Sequence, residues 1–357
     1  MAMDRGPTFV IAGGGTGGHL IPGLAVAGEL RARGAARILF IGTERGVEAK
    51  LVPAAGYDLH LIAVGGLKNV GWRSVARTLS ALPRAVLDCR RVLRASGAAA
   101  VLGVGGYASG PALAAAAWLG VPIVVLETNA QTGLANRLAA RWVRTAAVTF
   151  PQTARDFPRA VVTGVPVRDA FFRLPPPVAH TPPVVLAFGG SQGARAVNDA
   201  LLAAAGIWDA KGWVVHLIHQ TGAREYNRVL DAYRQAGLTV VAGQAGTARM
   251  SGGGFRVELH PFIEDMAAAM ERAELVISRA GASSLAELAA AGRAAILIPF
   301  PGAADDHQRR NARAYATAGA AAVIDQNELD GPRLAAAVEA LAASPPRRAA
   351  MEAAARA

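Results

Sequence analysis

A glycine-rich turn closes a short apolar run twice in this chain, and the repetition constrains the fold more than either copy does alone. Val10-Ile11-Ala12 leads into Gly13-Gly14-Gly15-Thr16-Gly17-Gly18-His19. At a spacing of 175 positions, Val185-Leu186-Ala187 leads into Phe188-Gly189-Gly190-Ser191-Gln192-Gly193-Ala194. An Ala/Leu-rich stretch of helical character follows each. Bare main-chain N–H groups at such a turn, aimed by a helix N-terminus, cradle phosphate. One such turn is a weak signal. Two, one per half, predict two similar domains facing each other across a cleft.

A length of 357 residues fits two domains, each able to bury its own core. A hydrophobic content of 52% with 18% charged residues excludes a disordered chain. The single cysteine, Cys89, excludes an intramolecular disulfide framework and a cysteine-built zinc site, and suits a cytosolic chain. Lys and Arg outnumber Asp and Glu by 37 to 26, for a formal charge of +11. That balance fits a polyanionic partner such as nucleic acid, an anionic membrane face or a phosphorylated substrate. An Arg- and Ala-rich composition also drifts basic without any such partner. No targeting segment is expected, because Asp4 and Arg5 precede only a short apolar stretch.

Short β-branched runs alternate with helical stretches, the pattern of parallel sheets covered on both faces. Strands are expected at Thr8–Ala12, Arg37–Ile41, Leu59–Ala63, Ala100–Gly103, Ile123–Leu126, Ala146–Phe150 and Ala160–Thr163. Helices between them should start near Ile21, Val47, Trp72, Pro111 and Thr132. The uncharged stretch from Ala95 to Leu126 is long enough to cross a bilayer. Gly103, Gly105, Gly106, Gly110, Pro111, Gly120 and Pro122 break it, so it reads as buried strand, helix and strand. Prolines 166, 175, 176, 177, 182 and 183 mark a linker. Alternation resumes with strands at Val184–Phe188, Val214–Ile218, Phe255–Leu259, Leu275–Ser278, Ala295–Ile298 and Ala322–Ile324. The glycine-rich stretch Gly243–Gly254 has no apolar period and reads as a mobile loop. The expected organisation is a Rossmann-like domain over 1–165, a linker over 166–183, a second Rossmann-like domain over 184–345 and a C-terminal helix over 346–357.

Gly13, Gly15 and Gly18 also satisfy the dinucleotide pattern G-x-G-x-x-G, with Glu44 near the place of a ribose-binding acid. The matching second loop and His19 argue against that reading. His19 opens a helix inside a glycine turn, and a helix N-terminus favours the neutral ring that a general base needs. Capping the helix is the plainer role. His216 and His219, three apart in a strand, point to opposite faces and make a poor metal pair. Asp305, Asp306 and His307 could chelate a cation, or serve as ordinary first-turn residues. Ser278 to Glu287 reads as a strand end, a small-residue turn and a helix start. Its N–H groups suit a diphosphate, and Glu287 suits a sugar diol through both oxygens; a surface glutamate near a helix start is the alternative.

Between Trp72 and Arg94 an apolar stripe of Val75, Leu79, Leu82, Val86 and Leu93 opposes Arg73, Arg77, Arg84 and Arg91. Pro83 is expected to kink or split this helix. The arginines, with Lys68, Arg90 and Arg94, form either a solvated face or a patch for anionic lipid.

Taken together the motifs resemble the peptidoglycan glycosyltransferases that form lipid II, the MurG family. The similarity runs from about Thr8 to Leu341. It includes GGGTGGHLIPGLAVAGEL at 13–30, LGVGGYASGP at 102–111, ETNAQTGLAN at 127–136 and GVPVR at 164–168. GGSQGAR at 189–195, PFIEDMAAAM at 261–270, SRAGASSLAELAAAG at 278–292 and DDHQRRNA at 305–312 complete it. The resemblance implies a GT-B fold, two facing Rossmann-like doubly wound parallel sheets of the α/β class. It implies an inverting, metal-independent hexosyltransferase that needs no cofactor and moves N-acetylglucosamine from UDP-N-acetylglucosamine to the muramoyl 4-hydroxyl of lipid I.

The implied donor contacts are Arg168 and Ser191 at the diphosphate, the Ile263 backbone at the uracil, and Ala282, Ser283, Ser284, Leu285, Ala286 and Glu287 at phosphates and ribose. Gln308 would read the sugar hydroxyls. Thr16, Gly17, Gly18 and Asn129 would meet the sugar and the acceptor diphosphate, with His19 as base and Glu127 as a second catalytic group. Leu126 stands where the family often has His, and Thr128 where Gln is common. The resemblance further implies a peripheral protein at the cytoplasmic face of the inner membrane, touching anionic lipid and cell-wall synthesis and division proteins, with no nucleic-acid partner. A UDP-sugar 2-epimerase of the same fold, and a non-catalytic module that binds nucleotide-sugar or membrane, are the other readings.

Overall fold

The computed structural model describes residues 6–357 except 16, 35–36, 45, 65–71, 130, 191, 243–247, 253–254 and 304–305, and leaves out the side chains of 72–79, 240–242 and 248–252. Two compact units meet in sequence between Arg168 and Asp169.

The N-terminal unit holds seven strands: β1 (Thr8–Gly13), β2 (Arg37–Gly42), β3 (Asp58–Leu61), β4 (Ala98–Gly105), β5 (Ile123–Glu127), β6 (Thr145–Val148) and β7 (Ala160–Val162). They lie in the order β3-β2-β1-β4-β5-β6-β7 and every pair is parallel. The connecting helices are α1 (Gly17–Ala32), α2 (Glu48–Ala54), α3 (Trp72–Ser96), α4 (Ser109–Leu119) and α5 (Leu134–Ala139). Strand side chains alternate between two apolar layers. Val10, Ala12, Leu39 and Ile41 join one, while Ile11, Ile38 and Phe40 join the other with Leu20 and Val52. A sheet buried on both faces in this way needs near-continuous apolar strands, which explains the runs without polar alternation. Strand order reverses between β1 and β4, so the crevice for ligands lies beyond their carboxyl ends.

Several boundaries differ from the expectations. α1 starts at Gly17 rather than near Ile21, so His19 falls in its first turn and Pro22 inside the helix. α3 is one helix through Pro83, packing Ala85, Cys89 and Leu93 into the core at spacings of four. Burial pushes the Cys89 thiol up to about 12, so it stays protonated and inert. The Ala95–Leu126 stretch becomes the end of α3, β4, α4 and most of β5. Among the described residues no helix is long and apolar enough to cross a membrane.

The C-terminal unit begins with α6 (Asp169–Phe172), one helical turn inside the proline-rich stretch that buries Phe171. It continues through β8 (Val184–Phe188), α7 (Arg195–Ala210), β9 (His216–Gln220), α8 (Tyr226–Gln235), β10 (Thr239–Ala242), β11 (Ala248–Gly252) and β12 (Phe255–His260). After these come α9 (Met266–Arg272), β13 (Leu275–Ser278), α10 (Ala282–Ala291), β14 (Ala294–Leu297), α11 (His307–Thr317), β15 (Ala321–Val323), α12 (Gly331–Ala342) and α13 (Pro345–Arg356). The sheet order is β10-β11-β12-β9-β8-β13-β14-β15.

From β12 to β15 the strands are parallel, with the reversal between β8 and β13. This repeats the plan of the first unit. β11 corrects the middle of the stretch Gly243–Gly254, read from sequence as a loop: Ala248–Gly252 pairs antiparallel with both β10 and β12, while 243–247 and 253–254 lie outside the described residues. The Ala-Arg-Met-Ser-Gly sequence of this strand has no apolar period to read. Trp208 on α7 is fully buried in the same apolar cluster as Val185, Leu217 and Val257. Burial of one such large side chain is worth roughly 1.5–3 kcal/mol.

Candidate active site

In the N-terminal unit two glycine turns meet beyond the switch point. Gly13 pairs with Gly105 in register, and a side-chain carbon at Gly13 would lie 2.6 Å from the Gly105 carbonyl oxygen. One at Gly106 would collide with the Gly14 carbonyl. Any larger residue there drives the two main chains apart. Gly17 and Gly18 open α1. His19 is half-buried in the same turn, and its ring lies over Gly105, where an added carbon would come 2.9 Å from Nδ1. The Tyr107 ring covers Gly15 in the same manner. Thr16 lies outside the described residues.

A buried carboxylate underlies this turn. Glu48, 0% exposed, accepts the Gly15 N–H through Oε2 at 2.8 Å. Its Oε1 accepts the Thr43 N–H and hydroxyl, both at 2.9 Å. Glu44, near the place of a ribose-binding acid in the dinucleotide pattern, is exposed.

Glu127 ends β5 and is also buried. Oε1 accepts from the Asn129 N–H at 3.1 Å and Nδ2 at 3.3 Å, while Oε2 accepts from the Gly133 N–H at 2.8 Å and Asn136 Nδ2 at 3.1 Å. Four donors saturate a carboxylate that the sequence had put among the catalytic groups. The geometry makes it the clasp of the Asn129 loop. Asn129 also accepts the Thr153 hydroxyl on its carbonyl. Leu126 belongs to the apolar cluster of Ile11, Leu20 and Val104.

In the C-terminal unit the turn after β8 rests against the end of β9, so that a side chain at Gly193 would strike the Thr221 carbonyl. Ser191 lies outside the described residues. Gln220, which the sequence reading missed, ties the second glycine turn to an expected donor contact, Ile263. Its Nε2 donates to the Gly190 carbonyl at 3.0 Å and its Oε1 accepts the Ile263 N–H at 2.8 Å. The Ile263 main chain therefore has its carbonyl left to offer.

Beyond β13, Gly281 is the extended N-cap of α10. The N–H groups of the first helical turn, Ala282 to Ser284, lack intrahelical acceptors by geometry. Leu285 and Glu287 are buried, while Ala282, Ser284 and Ala286 are half-buried. α11 fastens this turn: Asn311 Nδ2 donates to the Ala280 carbonyl at 3.2 Å and the Tyr315 hydroxyl to the Leu285 carbonyl at 2.6 Å. Gln308 on α11 accepts the Phe300 N–H through Oε1 at 3.0 Å. The Arg279 guanidinium lies 5.3 Å from the centre of the Phe300 ring, and burial brings its pKa down to about 10. Arg168, half-buried, ends the N-terminal unit.

Among the described residues no cluster of three His, Cys, Asp or Glu side chains forms a metal site. Asp305 lies outside them, and Asp306 pairs with Arg309 at 3.6 Å. His216 faces Glu258 at 3.0 Å, whereas His219 bonds to Tyr233 and Asn198.

Both units match family models. Residues 9–148 match the glycosyltransferase family 28 N-terminal domain, and residues 184–357 the glycosyltransferase family 28 C-terminal domain. A protein of Solibacter usitatus named UDP-N-acetylglucosamine--N-acetylmuramyl-(pentapeptide) pyrophosphoryl-undecaprenol N-acetylglucosamine transferase is 45% identical, over 91% of this chain and 85% of its own. A Syntrophotalea carbinolica protein of the same name is 43% identical over 98% and 93%. The crystal structure of Acinetobacter baumannii MurG superposes with a TM-score of 0.71 at 29% identity, covering 98% of this chain and 94% of that one. A UDP-N-acetylglucosamine 2-epimerase superposes at 0.64 with 10% identity over 98% and 91%, a likeness of fold alone.

Proposed function

This chain belongs to glycosyltransferase family 28, and from that premise we infer how its residues carry the reaction. It is a hexosyltransferase of GT-B fold. It moves N-acetylglucosamine from UDP-N-acetylglucosamine to undecaprenyl-diphospho-N-acetylmuramoyl-pentapeptide, turning lipid I into lipid II in peptidoglycan synthesis.

We propose that the muramoyl 4-hydroxyl, losing its proton to His19, attacks the anomeric carbon of the α-linked donor in line. The new β-1,4 bond has inverted configuration, and UDP leaves. The observation that carries this assignment is the His19 ring, half-buried in the first turn of α1 over Gly105. Asn129, held by Glu127, faces the acceptor; Glu127 acts through Asn129 as a positioning residue.

On the donor side, the first turn of α10, Ser191 and Arg168 hold the charge that grows on the diphosphate. Main-chain dipoles already aimed at the leaving group need no reorganisation as charge develops, the electrostatic contribution that is usually largest. The Ile263 carbonyl takes the uracil N–H and Glu287 the ribose diol. Gln308 presents Nε2 to a sugar hydroxyl, since its Oε1 is engaged by Phe300. Main-chain donors and an arginine fill the place of a metal in this scheme.

The acceptor is a membrane lipid, and the N-terminal unit has a surface suited to that membrane. Arg84, Arg91 and Arg94 stand exposed on α3. Leu87 is exposed too, and Arg90 lies over the exposed Trp118 ring at 4.5 Å from its centre. Arg141 covers Trp142 in the same way. Aromatic rings beside guanidinium groups suit the headgroup level of a bilayer, so we assign peripheral binding at the cytoplasmic face of the inner membrane. Lys68, Arg73 and Arg77, placed on this patch from sequence, lie outside the described side chains.

Radiolabelled UDP-N-acetylglucosamine and a short-chain lipid I analogue test the reading. Label moves to the lipid with a β linkage under this mechanism. Release of free 2-epimerised sugar, or label that never leaves the nucleotide, contradicts it.

A further inference from the structure

We propose that Glu48 is a positioning residue for the transfer reaction, holding the first glycine turn in the shape that sets His19 against the acceptor. The inference rests on the reading of that turn as the acceptor side. Glu48 lies 33 residues from Gly15 in sequence yet accepts its N–H at 2.8 Å. The opposite oxygen takes both donors of Thr43 at the end of β2. With 0% exposure the carboxylate is sealed from ligand and solvent. Gly14, Gly42 and Gly46 all close upon it, and a side-chain carbon at any of the three would overlap the Glu48 side chain.

Two consequences follow from the chemistry. A buried carboxylate is tolerated only where hydrogen bonds replace its hydration, and here those bonds tie β2 and α2 to the turn that begins α1. Gly15 has a left-handed φ of 88°, a conformation the N–H bond to Glu48 helps to fix. The same bond occupies the Gly15 N–H, so an acceptor phosphate must find its donors elsewhere. The second unit braces its turn with a neutral group, Gln220 on the Gly190 carbonyl. The two turns alike in sequence are thus held from beneath by side chains of different charge.

Glu48→Gln tests the proposal because it preserves volume. A carboxamide has one oxygen, so its NH2 must face either the Gly15 N–H or the Thr43 N–H, and the turn must shift. The expected result is a kcat for lipid I analogue at least ten-fold lower with a raised acceptor KM. UDP affinity should stay within two-fold, since the donor turn lies in the other unit. A kcat and acceptor KM within two-fold of wild type overturn the proposal. So does a parallel loss of UDP affinity and turnover, which marks general damage to the fold.

If Glu48→Gln does not fold, Thr43→Val carries the test, since it deletes only the hydroxyl donor. A kcat reduced three-fold or more with unchanged UDP affinity supports the proposal; an unchanged kcat overturns it. His19→Ala measured alongside separates the two claims. Full activity in His19→Ala rejects the base reading itself, whereas an impaired His19→Ala beside a wild-type Glu48→Gln rejects the role of Glu48 alone.

Discussion

Gln308 accepts the Phe300 main-chain N–H through Oε1 at 3.0 Å, which leaves Nε2 as its outward-facing group. An N–H donor can bond only the oxygen of a carboxamide, so the orientation is set by chemistry. Gln308→Glu would keep the Phe300 bond and replace the outward donor with an acceptor. Its expected effect is on sugar choice. The preference for the N-acetylglucosamine donor over the N-acetylgalactosamine donor should fall about ten-fold or more, because a built hydrogen bond carries discrimination against the misplaced hydroxyl. Competition between the two donors, read as a ratio of kcat/KM, gives the answer. An equal loss with both donors speaks against a specificity role.

His219 provides a pH prediction independent of catalysis. Burial with no charged partner lowers its pKa from 6.5 to about 3, and its ring is satisfied as a neutral group by Tyr233 at 3.2 Å and Asn198 at 3.0 Å. As pH falls through 6.5 the unfolded chain binds a proton there while the native ring does not. This contribution to stability is therefore complete above pH 6.5 and is lost between 6.5 and 3, at up to about 1.4 kcal/mol per pH unit. Urea unfolding at pH 7 and pH 5 should show the loss in the wild type. His219→Asn should show a shallower dependence; an identical slope contradicts the assignment.

The membrane patch is testable with vesicles. Basic side chains near an anionic leaflet contribute roughly 1 kcal/mol each, within a Debye length. The protein should sediment with anionic vesicles at low salt and release at high salt. Arg84→Glu, Arg91→Glu and Arg94→Glu combined should abolish sedimentation and leave UDP affinity intact. Binding equal to wild type would make the face an ordinary solvated helix surface.

The parallel strands could be read from the sequence because each is an apolar run closed by glycine or another turn former, as Val10-Ile11-Ala12 before Gly13 and Val185-Leu186-Ala187 before Gly189 show. β11 escaped because Ala248–Gly252, an Ala-Arg-Met-Ser-Gly run, has no side-chain period to reveal it, whereas β10 carries the β-branched run Thr239-Val240-Val241 beside the glycine-rich stretch and was passed over. Glu48 escaped for a different reason. In sequence it is an acid in the first turn of a short helix, and nothing local says that it turns inward to reach Gly15. Gln220 is the same kind of case, defined by Gly190 and Ile263, 30 and 43 residues away. The position of Pro22 within α1 likewise became clear only once the helix was seen to begin at Gly17, which is what brings His19 onto the first turn.

In the proposed mechanism the His19 ring, in the first turn of α1, takes the proton from the attacking hydroxyl. Single-turnover transfer by His19→Ala, with UDP affinity measured on the same preparation, tests it most directly. The expected result is a rate lower by about 10²–10⁴-fold, the usual worth of a positioned base, with UDP affinity within about two-fold of wild type because its contacts lie elsewhere. A transfer rate within a few-fold of wild type would contradict it.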